Sequence, residues 1–168
     1  MAEDRVEGFA PLADANSRIL VLGTAPSALS LKQGFYYAHP RNAFWPILCA
    51  VCGEAAPAES AKRALALRHG IALWDTLASC ERKGSLDSAI CRETPNDIAS
   101  FLRCHPSVER ILLNGTAAAR LYRKYHADEI SLPALCLPST SPALTMPFAQ
   151  KLSLWREALQ TTYPQENP

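Results

Sequence analysis

SRILVLGTAPS, residues 17–27, is the stretch that decides the fold. Residues 19–22 form a short apolar run rich in branched side chains, and Gly23 ends it, which is typical of a buried strand. A turn with a proline follows, and Ser27 has the side chain of a helix cap. The sequence therefore predicts a buried strand that runs directly into a polar turn.

The rest of the chain alternates between strand-like and helix-like segments. Further strands are predicted at residues 70–75, 108–113 and 132–137, and helices at residues 43–52, 60–69, 94–104, 116–125 and 148–161. Such alternation gives a parallel sheet covered on both faces. We expect one α/β domain over residues 1–168, with a central four-stranded parallel sheet flanked by helices on both faces. Residues 79–88 are expected to form a polar loop, and residues 1–16 and 164–168 to be loosely ordered ends.

Composition narrows the class of protein. Apolar residues make up 48% of the chain and charged residues 20%, as in an ordinary globular domain. The net charge of +1 argues against a protein that coats nucleic acid through charge alone, although Arg82 and Lys83 form a local basic pair. No apolar run reaches the roughly 18 residues of a membrane span, and the N-terminus lacks the pattern of a secretory signal. A cytoplasmic protein without a membrane partner is expected.

The six cysteines are expected to be free thiols, because disulfides are rare in a reducing compartment. Cys49 and Cys52 have a metal-type spacing, but no second cysteine pair accompanies them. The four histidines are isolated in sequence, which disfavours a metal hydrolase. No metal site is therefore expected.

Ligands of open α/β sheets bind outside the carboxyl ends of the strands. Four polar segments are predicted to meet there, at residues 23–27, 75–88, 114–116 and 138–145. Neither of the glycine-rich phosphate-binding motifs GxGxxG and GxxxxGK[ST] is present, and no G-x-S-x-G nucleophile elbow is found. A nucleotide-cofactor enzyme and a serine hydrolase are therefore disfavoured.

The segment GFYYAHPRNAFWPIL, residues 34–48, supplies aromatic and polar side chains to the same edge. Phe44 and Trp45 are predicted to be core residues. The remaining pocket consists of flat rings and neutral hydrogen-bonding groups: Phe35, Tyr36, Tyr37, Asn42, Asn114, Ser139, Thr140 and Ser141. Proteins hold an unstacked base with such groups, by stacking and by hydrogen bonds to its edge, whereas the alternative is a loop network that satisfies itself.

Four motifs in this order, GTAPS, YYAHPRNAFW, LWDTLASCERKGSLDSAI and LPSTSPA, resemble the uracil-DNA glycosylase superfamily, and within it the hypoxanthine-DNA (deoxyinosine) glycosylase branch. The resemblance spans about residues 18–160. It implies a monofunctional enzyme that flips a damaged base out of DNA and hydrolyses its N-glycosidic bond. It also implies that DNA with deaminated bases is the partner, that no cofactor is needed, and that the enzyme is a monomer without an obligate protein partner.

The pocket residues, the basic pair and the resemblance together assign roles to individual residues. Base-binding residues are Gly23, Thr24, Ala25, Tyr36, Tyr37 and Asn114, with Tyr37 stacking on the base. DNA-binding residues are Ser27, Arg82, Lys83, Ser139, Thr140, Ser141, Pro142, Ala143 and Leu144, with Leu144 as an apolar wedge.

One position departs from the family pattern. Relatives carry asparagine or aspartate where this chain has Ala25, and a methyl group can neither hold nor activate water. Asn42 is then the best substitute, either for positioning water or for contacting the base. His39 is the second catalytic candidate, as a proton donor or as a brace for its loop. Asp75 has a structural and a functional interpretation, and both remain open.

Three further functions remain as alternatives to a deoxyinosine glycosylase. The first is a mismatch-directed uracil-DNA glycosylase, because the HPxNxFW segment is also similar to that branch. The second is a nucleic-acid-binding relative with weak or no catalysis, because of Ala25. The third is a hydrolase of free nucleosides or nucleotides. It is less favoured, because the basic pair and the proline–serine loop indicate a polymeric substrate.

Overall fold

The computed structural model describes residues 4–160. Its strands are β1 (Arg5–Glu7), β2 (Ile19–Gly23), β3 (Ile71–Asp75), β4 (Leu77–Glu81), β5 (Cys91–Pro95), β6 (Arg110–Asn114) and β7 (Ala134–Leu137). Its helices are α1 (Ala28–Gln33), α2 (Phe44–Cys52), α3 (Glu59–Arg68), α4 (Ile98–Cys104), α5 (Thr116–Tyr125) and α6 (Phe148–Gln160), with one 3-10 turn at Asp87–Ala89.

Four of these strands form a parallel sheet in the order β3-β2-β6-β7. Strand β2 pairs in parallel with β3 on one side and with β6 on the other, and β7 extends the sheet beyond β6. The predicted central sheet is therefore confirmed. All four carboxyl ends lie at one edge, where the polar loops follow.

Side chains of β2 alternate between two hydrophobic clusters, because successive residues of a strand point to opposite faces. Ile19 and Val21 pack with α2, α3 and α6 on one face. Leu20 and Leu22 pack with α4 and α5 on the other face. Helices thus cover both faces, as predicted, and every residue of β2 is buried.

The sequence did not predict the second, antiparallel sheet, which has the strand order β1-β4-β5. Residues 79–88 were expected to be a loop, but β4 occupies residues 77–81 and pairs with both of its neighbours. The expectation that residues 1–16 are a loose end is wrong for residues 4–16. Val6 is buried in a third apolar cluster, and Leu12 bridges to Leu73 at the β3 edge. The predicted loose end at 164–168 lies outside the described residues.

The helices predicted from sequence are all present, and their ends lie within one residue of expectation except that α4 begins four residues later than predicted. Helix α1 was not predicted, although Ser27 was identified as a cap. It is the N-cap residue of α1 and accepts a hydrogen bond from the Ser30 backbone N–H. The six cysteines are free, as expected. Within residues 4–160, none of the helices combines the length and apolarity that crossing a membrane requires.

Candidate active site at the carboxyl edge

The carboxyl edge brings the ends of β2 and β3 into close contact. Gly23 and Asp75 are register partners there. A Cβ on residue 23 would stand 2.5 Å from Asp75 Oδ1 and 3.2 Å from the Tyr37 hydroxyl oxygen, Oη. Only glycine leaves room for both side chains, so the last residue of the buried strand is fixed by its neighbours.

Asp75 carries a buried carboxyl group without a partner. The residue is 4% exposed, and its Oδ2 has no hydrogen-bond partner among residues 4–160. Burial raises the pKa of Asp75 to about 7, the charge of Asp87 adds to the rise, and the Arg82 guanidinium opposes it. Buried polar atoms normally have partners, so this carboxyl group is a candidate for ligand contact.

Tyr37 faces the same point with a second buried atom that lacks a partner. Its Oη has no partner in good hydrogen-bond geometry among the described residues, although the Asn114 side chain lies near it. Burial raises the pKa of Tyr37, the Asp75 charge adds to the rise, and the Asn114 side chain opposes it. Its ring is half-buried and packs on Phe44 with ring centroids 4.4 Å apart. The backbone of Tyr37 has φ = 54°, a strained conformation for a bulky residue. Strain and unpartnered polar atoms coincide at this edge.

Tyr36 does not share this position, which corrects its assignment to the base pocket. It is buried in the core, where its hydroxyl donates to the Ala10 carbonyl at 2.9 Å and its ring packs edge-on against Phe9. The Trp45 indole N–H donates to the Tyr36 carbonyl at 2.9 Å and fixes the loop from below. Phe44 and Trp45 are core residues, as predicted.

Asn114 and Thr140 form a closed pair beside the same edge. The Thr140 backbone N–H donates to Asn114 Oδ1 at 2.9 Å, and Asn114 Nδ2 donates to Thr140 Oγ1 at 3.0 Å. Thr140 is 1% exposed, so the prediction that its side chain binds DNA is wrong in this structure. Asn114 lies at the predicted edge, but its amide group holds the loop after β7.

Arg82 is also buried, which corrects its assignment as a DNA contact. It is 3% exposed, and it donates to the carbonyls of Pro26 and Gly84. Thr24 Oγ1 donates to Asp87 at 3.2 Å, so the loop 23–27 and the loop 82–87 hold each other at two points. Lys83, the neighbour of Arg82, is exposed as a DNA contact would be.

Ala25 turns its methyl group toward apolar neighbours. It packs against the third hydrophobic cluster, which is formed by Val6, Leu77, Cys80 and Leu121. This packing gives the departure from the family pattern a structural context, because a polar side chain at residue 25 would face those apolar groups.

Asn42 lies at the start of α2 and uses one of its two amide atoms there. Its Oδ1 accepts a hydrogen bond from the Phe44 N–H at 2.9 Å, while its Nδ2 donates to none of the described residues. His39 Nδ1 accepts from the Arg41 N–H at 3.0 Å, so the neutral ring carries its proton on Nε2. Both residues therefore keep a free donor, and Asn42 lies beside the loop after β7.

The loop that follows β7 is held from three sides. The Ala43 N–H donates to the Thr140 carbonyl at 2.9 Å, and the Trp155 indole donates to the Pro138 carbonyl at 2.9 Å. Lys151 Nζ donates to the carbonyls of Ser141 and Leu144 at 3.0 and 2.8 Å. Within this loop, Ser139 Oγ and Ser141 Oγ accept backbone N–H bonds, and Ala143 and Leu144 are exposed.

Sequence reasoning missed Lys151 as a site residue. It lies four residues before Trp155, and both side chains are buried. The helical repeat around Trp155 was recognised, so the spacing of three or four residues could have placed Lys151 on the buried face. Among residues 4–160 there is no group of three or more His, Cys, Asp or Glu side chains that could hold a metal ion.

Comparisons with known proteins agree with this architecture. The family model of the uracil DNA glycosylase superfamily matches residues 10–162. Hypoxanthine DNA glycosylase of Methanosarcina barkeri (strain Fusaro / DSM 804) is 30% identical over 156 residues, which cover 92% of this chain and 98% of that protein. Hypoxanthine DNA glycosylase of Methanosarcina acetivorans is 35% identical over 113 residues, which cover 66% of this chain and 72% of that protein.

A solved structure is similar as well. The solution NMR structure of a candidate uracil DNA glycosylase from Methanosarcina acetivorans has a TM-score of 0.82 and 30% identity, and the match covers 93% of this chain and 97% of that chain. The chain therefore belongs to the uracil DNA glycosylase superfamily. The resemblance drawn from the four sequence motifs is confirmed.

Proposed function

We propose that this protein is a monofunctional DNA glycosylase that flips hypoxanthine (deoxyinosine) out of DNA, hydrolyses its N-glycosidic bond and leaves an abasic site. The similar proteins from Methanosarcina barkeri and Methanosarcina acetivorans are named hypoxanthine DNA glycosylases. The observation that carries the proposal is the pair of unpartnered buried atoms, Asp75 Oδ2 and Tyr37 Oη, at the edge beside Gly23.

The pairing edge of hypoxanthine is a lactam, with a carbonyl acceptor next to an N–H donor. A neutral carboxyl group matches both, because its O–H donates and its C=O accepts. Since burial raises the pKa of Asp75 to about 7, the neutral form is accessible near neutral pH. Asp75 is therefore assigned as the residue that reads the base edge, with the half-buried ring of Tyr37 as the stacking surface.

The reaction breaks the bond between the sugar C1′ and the base nitrogen. The bonding electron pair leaves with the base, the sugar becomes an oxocarbenium-like cation, and a water oxygen then bonds to C1′ while the water proton ends on the base. Donors aimed at the departing base stabilise the charge that develops there. A neutral Asp75, rather than a carboxylate, supplies such a donor.

Asn42 is proposed as the catalytic amide, since Ala25 offers no polar group. Its Nδ2 is a free donor, for holding the water or for contacting the base, while its Oδ1 is bound to the start of α2. His39 is proposed to donate a hydrogen bond from its Nε2–H to the departing base. Exposed groups for the DNA backbone are Lys83 and Ala143, with Leu144 as the wedge that fills the gap left by the flipped base.

The proposal includes action on DNA as a cytoplasmic monomer, with neither an obligate protein partner nor a cofactor. Light scattering coupled to size-exclusion chromatography measures the oligomeric state directly. A stable dimer in solution would contradict this part of the proposal and leave the reaction untouched.

The function is tested with labelled duplexes that carry inosine, uracil, xanthine or a thymine mismatch, incubated without added metal and then treated with alkali. Strand cleavage at inosine, with none in unmodified DNA, is the expected result. If no lesion yields an abasic product, the proposed function is wrong. Uracil has the same lactam edge, so mismatch-directed uracil excision is the second candidate, and faster cleavage at G·U than at inosine would favour it.

Two variants distinguish the proposed catalytic role of Asn42 Nδ2 from the structural role of Asn42 Oδ1, which accepts the Phe44 N–H. Asn42→Asp keeps the oxygen that accepts the Phe44 N–H but removes the Nδ2 donor, whereas Asn42→Ala removes both. Both are expected to lower the single-turnover excision rate about 100-fold or more while lowering DNA affinity far less. Asn16→Ala, in an exposed turn, is the control. Full activity of Asn42→Asp would show that Nδ2 is not needed.

A further inference from the structure

A separate cleft of about 250 Å³ lies between the starts of α2 and α6. Its lining includes Arg41, Asn42, Pro142, Leu144, Phe148 and Lys151. It contains no aspartate or glutamate. Asp75, Gly23 and Tyr37, which form the base-binding edge, are not among its residues. Asn42 borders this cleft and is also the proposed catalytic amide, so a ligand in the cleft would lie next to the reacting nucleotide.

Lys151 is a buried cation in the wall of this cleft. It is 4% exposed, and within residues 4–160 its ammonium group donates only to the Ser141 and Leu144 carbonyls. An ammonium group has three N–H donors, so one remains without an acceptor. Within residues 4–160, Lys151 forms no ion pair with a carboxylate, and burial lowers its pKa. A buried charge is costly unless it is paired, which points to an anionic ligand.

The surroundings of Lys151 increase the positive potential of the cleft. Arg41 contributes an exposed guanidinium to the lining. Helix α6 is 13 residues long and has no acidic residue in its first turn, and α2 has none either. The positive ends of both helix dipoles therefore lie at the cleft without a compensating charge.

We propose that the cleft between Asn42 and Lys151 binds a backbone phosphate of the lesion strand beside the flipped nucleotide. This inference rests on the proposed function, because it takes DNA as the ligand. A phosphodiester supplies the anion that Lys151 lacks, and its negative charge is permanent. The apolar rim formed by Pro142, Leu144 and Phe148 suits contact with deoxyribose. Lys151 would then hold the loop 141–144 and the DNA strand with the same ammonium group.

The test measures binding rather than excision, and uses a duplex with a stable tetrahydrofuran abasic analogue in place of the lesion. Single phosphates on either side of the analogue are replaced, one at a time, by neutral methylphosphonates. For the wild-type protein, neutralising one particular phosphate is expected to raise Kd about 10-fold. Lys151→Met is expected to raise Kd about 10-fold on the unmodified duplex and to be insensitive to that same methylphosphonate. The slope of log Kd against log salt should fall by about one in this variant.

Control variants distinguish the effect of the Lys151 charge on binding from its effect on the structure of the loop 141–144. Lys151→Gln keeps a donor for the loop carbonyls but has no charge, and it should show the same loss of salt dependence as Lys151→Met. Lys62→Met, on α3, should bind as the wild type does. Thermal unfolding and circular dichroism check that each variant is folded. If folded Lys151→Gln keeps the wild-type Kd and salt slope, or if every methylphosphonate weakens all variants equally, the inference is wrong.

A second arm distinguishes a DNA phosphate from a free anion. Inorganic phosphate is titrated into the wild type and Lys151→Met, with tryptophan fluorescence as the readout. Submillimolar binding by the wild type alone, without any methylphosphonate effect, would indicate a free-anion site and overturn the DNA assignment. Inosine excision by the wild type is measured in parallel. A methylphosphonate effect that depends on Lys151 would support phosphate binding in the cleft even if excision were absent. Excision without that effect would support the proposed function and show that the cleft does not bind the phosphate.

Discussion

Asn114 and Thr140 hold each other through two hydrogen bonds, one from the Thr140 backbone N–H and one from the Asn114 side chain, at 2.9 and 3.0 Å. Both residues are buried. The pair ties the end of β6 to the loop after β7, which also borders the proposed phosphate cleft. The shape of that loop therefore depends on a side-chain pair in the interior as well as on its own backbone.

Thr140→Val removes the hydroxyl that accepts from Asn114 Nδ2 and keeps the backbone bond. A buried donor without a partner is costly, so the free energy of unfolding is expected to fall by about 1–3 kcal/mol. Urea denaturation measures the change. Thr145→Val, at an exposed position of the same loop, is the control and should change stability by less than about 0.5 kcal/mol. Equal effects of the two substitutions would show that the Asn114–Thr140 pair contributes little.

Substitutions of the neighbours Arg82 and Lys83 are expected to have opposite effects on stability and on DNA binding. Arg82→Met leaves the Pro26 and Gly84 carbonyls without their donor, and it removes a buried cation near Asp75 and Asp87. A loss of about 2–4 kcal/mol in unfolding free energy is expected. Lys83→Met should leave stability unchanged and weaken DNA binding at low salt. Urea denaturation and fluorescence anisotropy give the two readouts, and an Arg82→Met protein of wild-type stability would contradict the structural role.

Gly23→Ala tests the contact between the first strand and Asp75. The new Cβ would stand 2.5 Å from Asp75 Oδ1, so the variant is expected to lose about 2 kcal/mol of stability and most of its excision activity. A double-mutant cycle with Asp75→Ala identifies the clash. In the Asp75→Ala background, Gly23→Ala should cost markedly less stability. If the cost is the same in both backgrounds, Asp75 is not the group that requires glycine at residue 23.

The central sheet could be predicted because its signals are local. A buried strand such as β2 is a continuous apolar run that ends at a glycine. The helices are indicated by the spacing of their apolar residues and by their capping residues. The antiparallel sheet could not be predicted in the same way. Strands β4 and β5 contain polar and proline residues, and the pairing of β4 with β1 joins segments that are more than 70 residues apart.

The candidate site was predicted at the level of segments but only partly at the level of residues. Tyr36 and Tyr37 are adjacent aromatic residues, and the positive φ of Tyr37 decides which of them faces the edge. Arg82 directly follows β4, where both Ser79 and Cys80 are buried, so strand alternation gives no signal for the burial of Arg82. The pairing of Asn114 with Thr140 depends on tertiary structure and leaves no local signal.

Asp75 is expected to make stability fall as pH rises. Its pKa in the folded protein is about 7, raised above its ordinary value of 3.8, so between about pH 4 and pH 7 the folded state holds a proton that the unfolded state has lost. Unfolding free energy therefore decreases across this window, by an amount on the order of 4 kcal/mol at most. Urea denaturation of the wild type and of Asp75→Asn from pH 4 to pH 8 measures it. The stability difference between the two proteins should shift in favour of Asp75→Asn with rising pH, and a difference that is independent of pH would show that Asp75 titrates at its ordinary pKa.

The protonation state of Asp75 also predicts the pH dependence of excision. If the neutral carboxyl group reads the lactam edge, the single-turnover rate on inosine should decline as pH rises above about 7, where the carboxylate forms. Asp75→Asn presents the same donor and acceptor pair without titrating, so it should keep substantial activity and lose the alkaline decline. Asp75→Leu, which has neither group, should lose activity at every pH. The experiment compares the three rate profiles from pH 5.5 to pH 9 on one inosine duplex. An Asp75→Asn variant that is inactive throughout, beside a wild type whose rate increases with pH, would mean that the carboxylate is the working form and that Asp75 acts as an acceptor or a base instead.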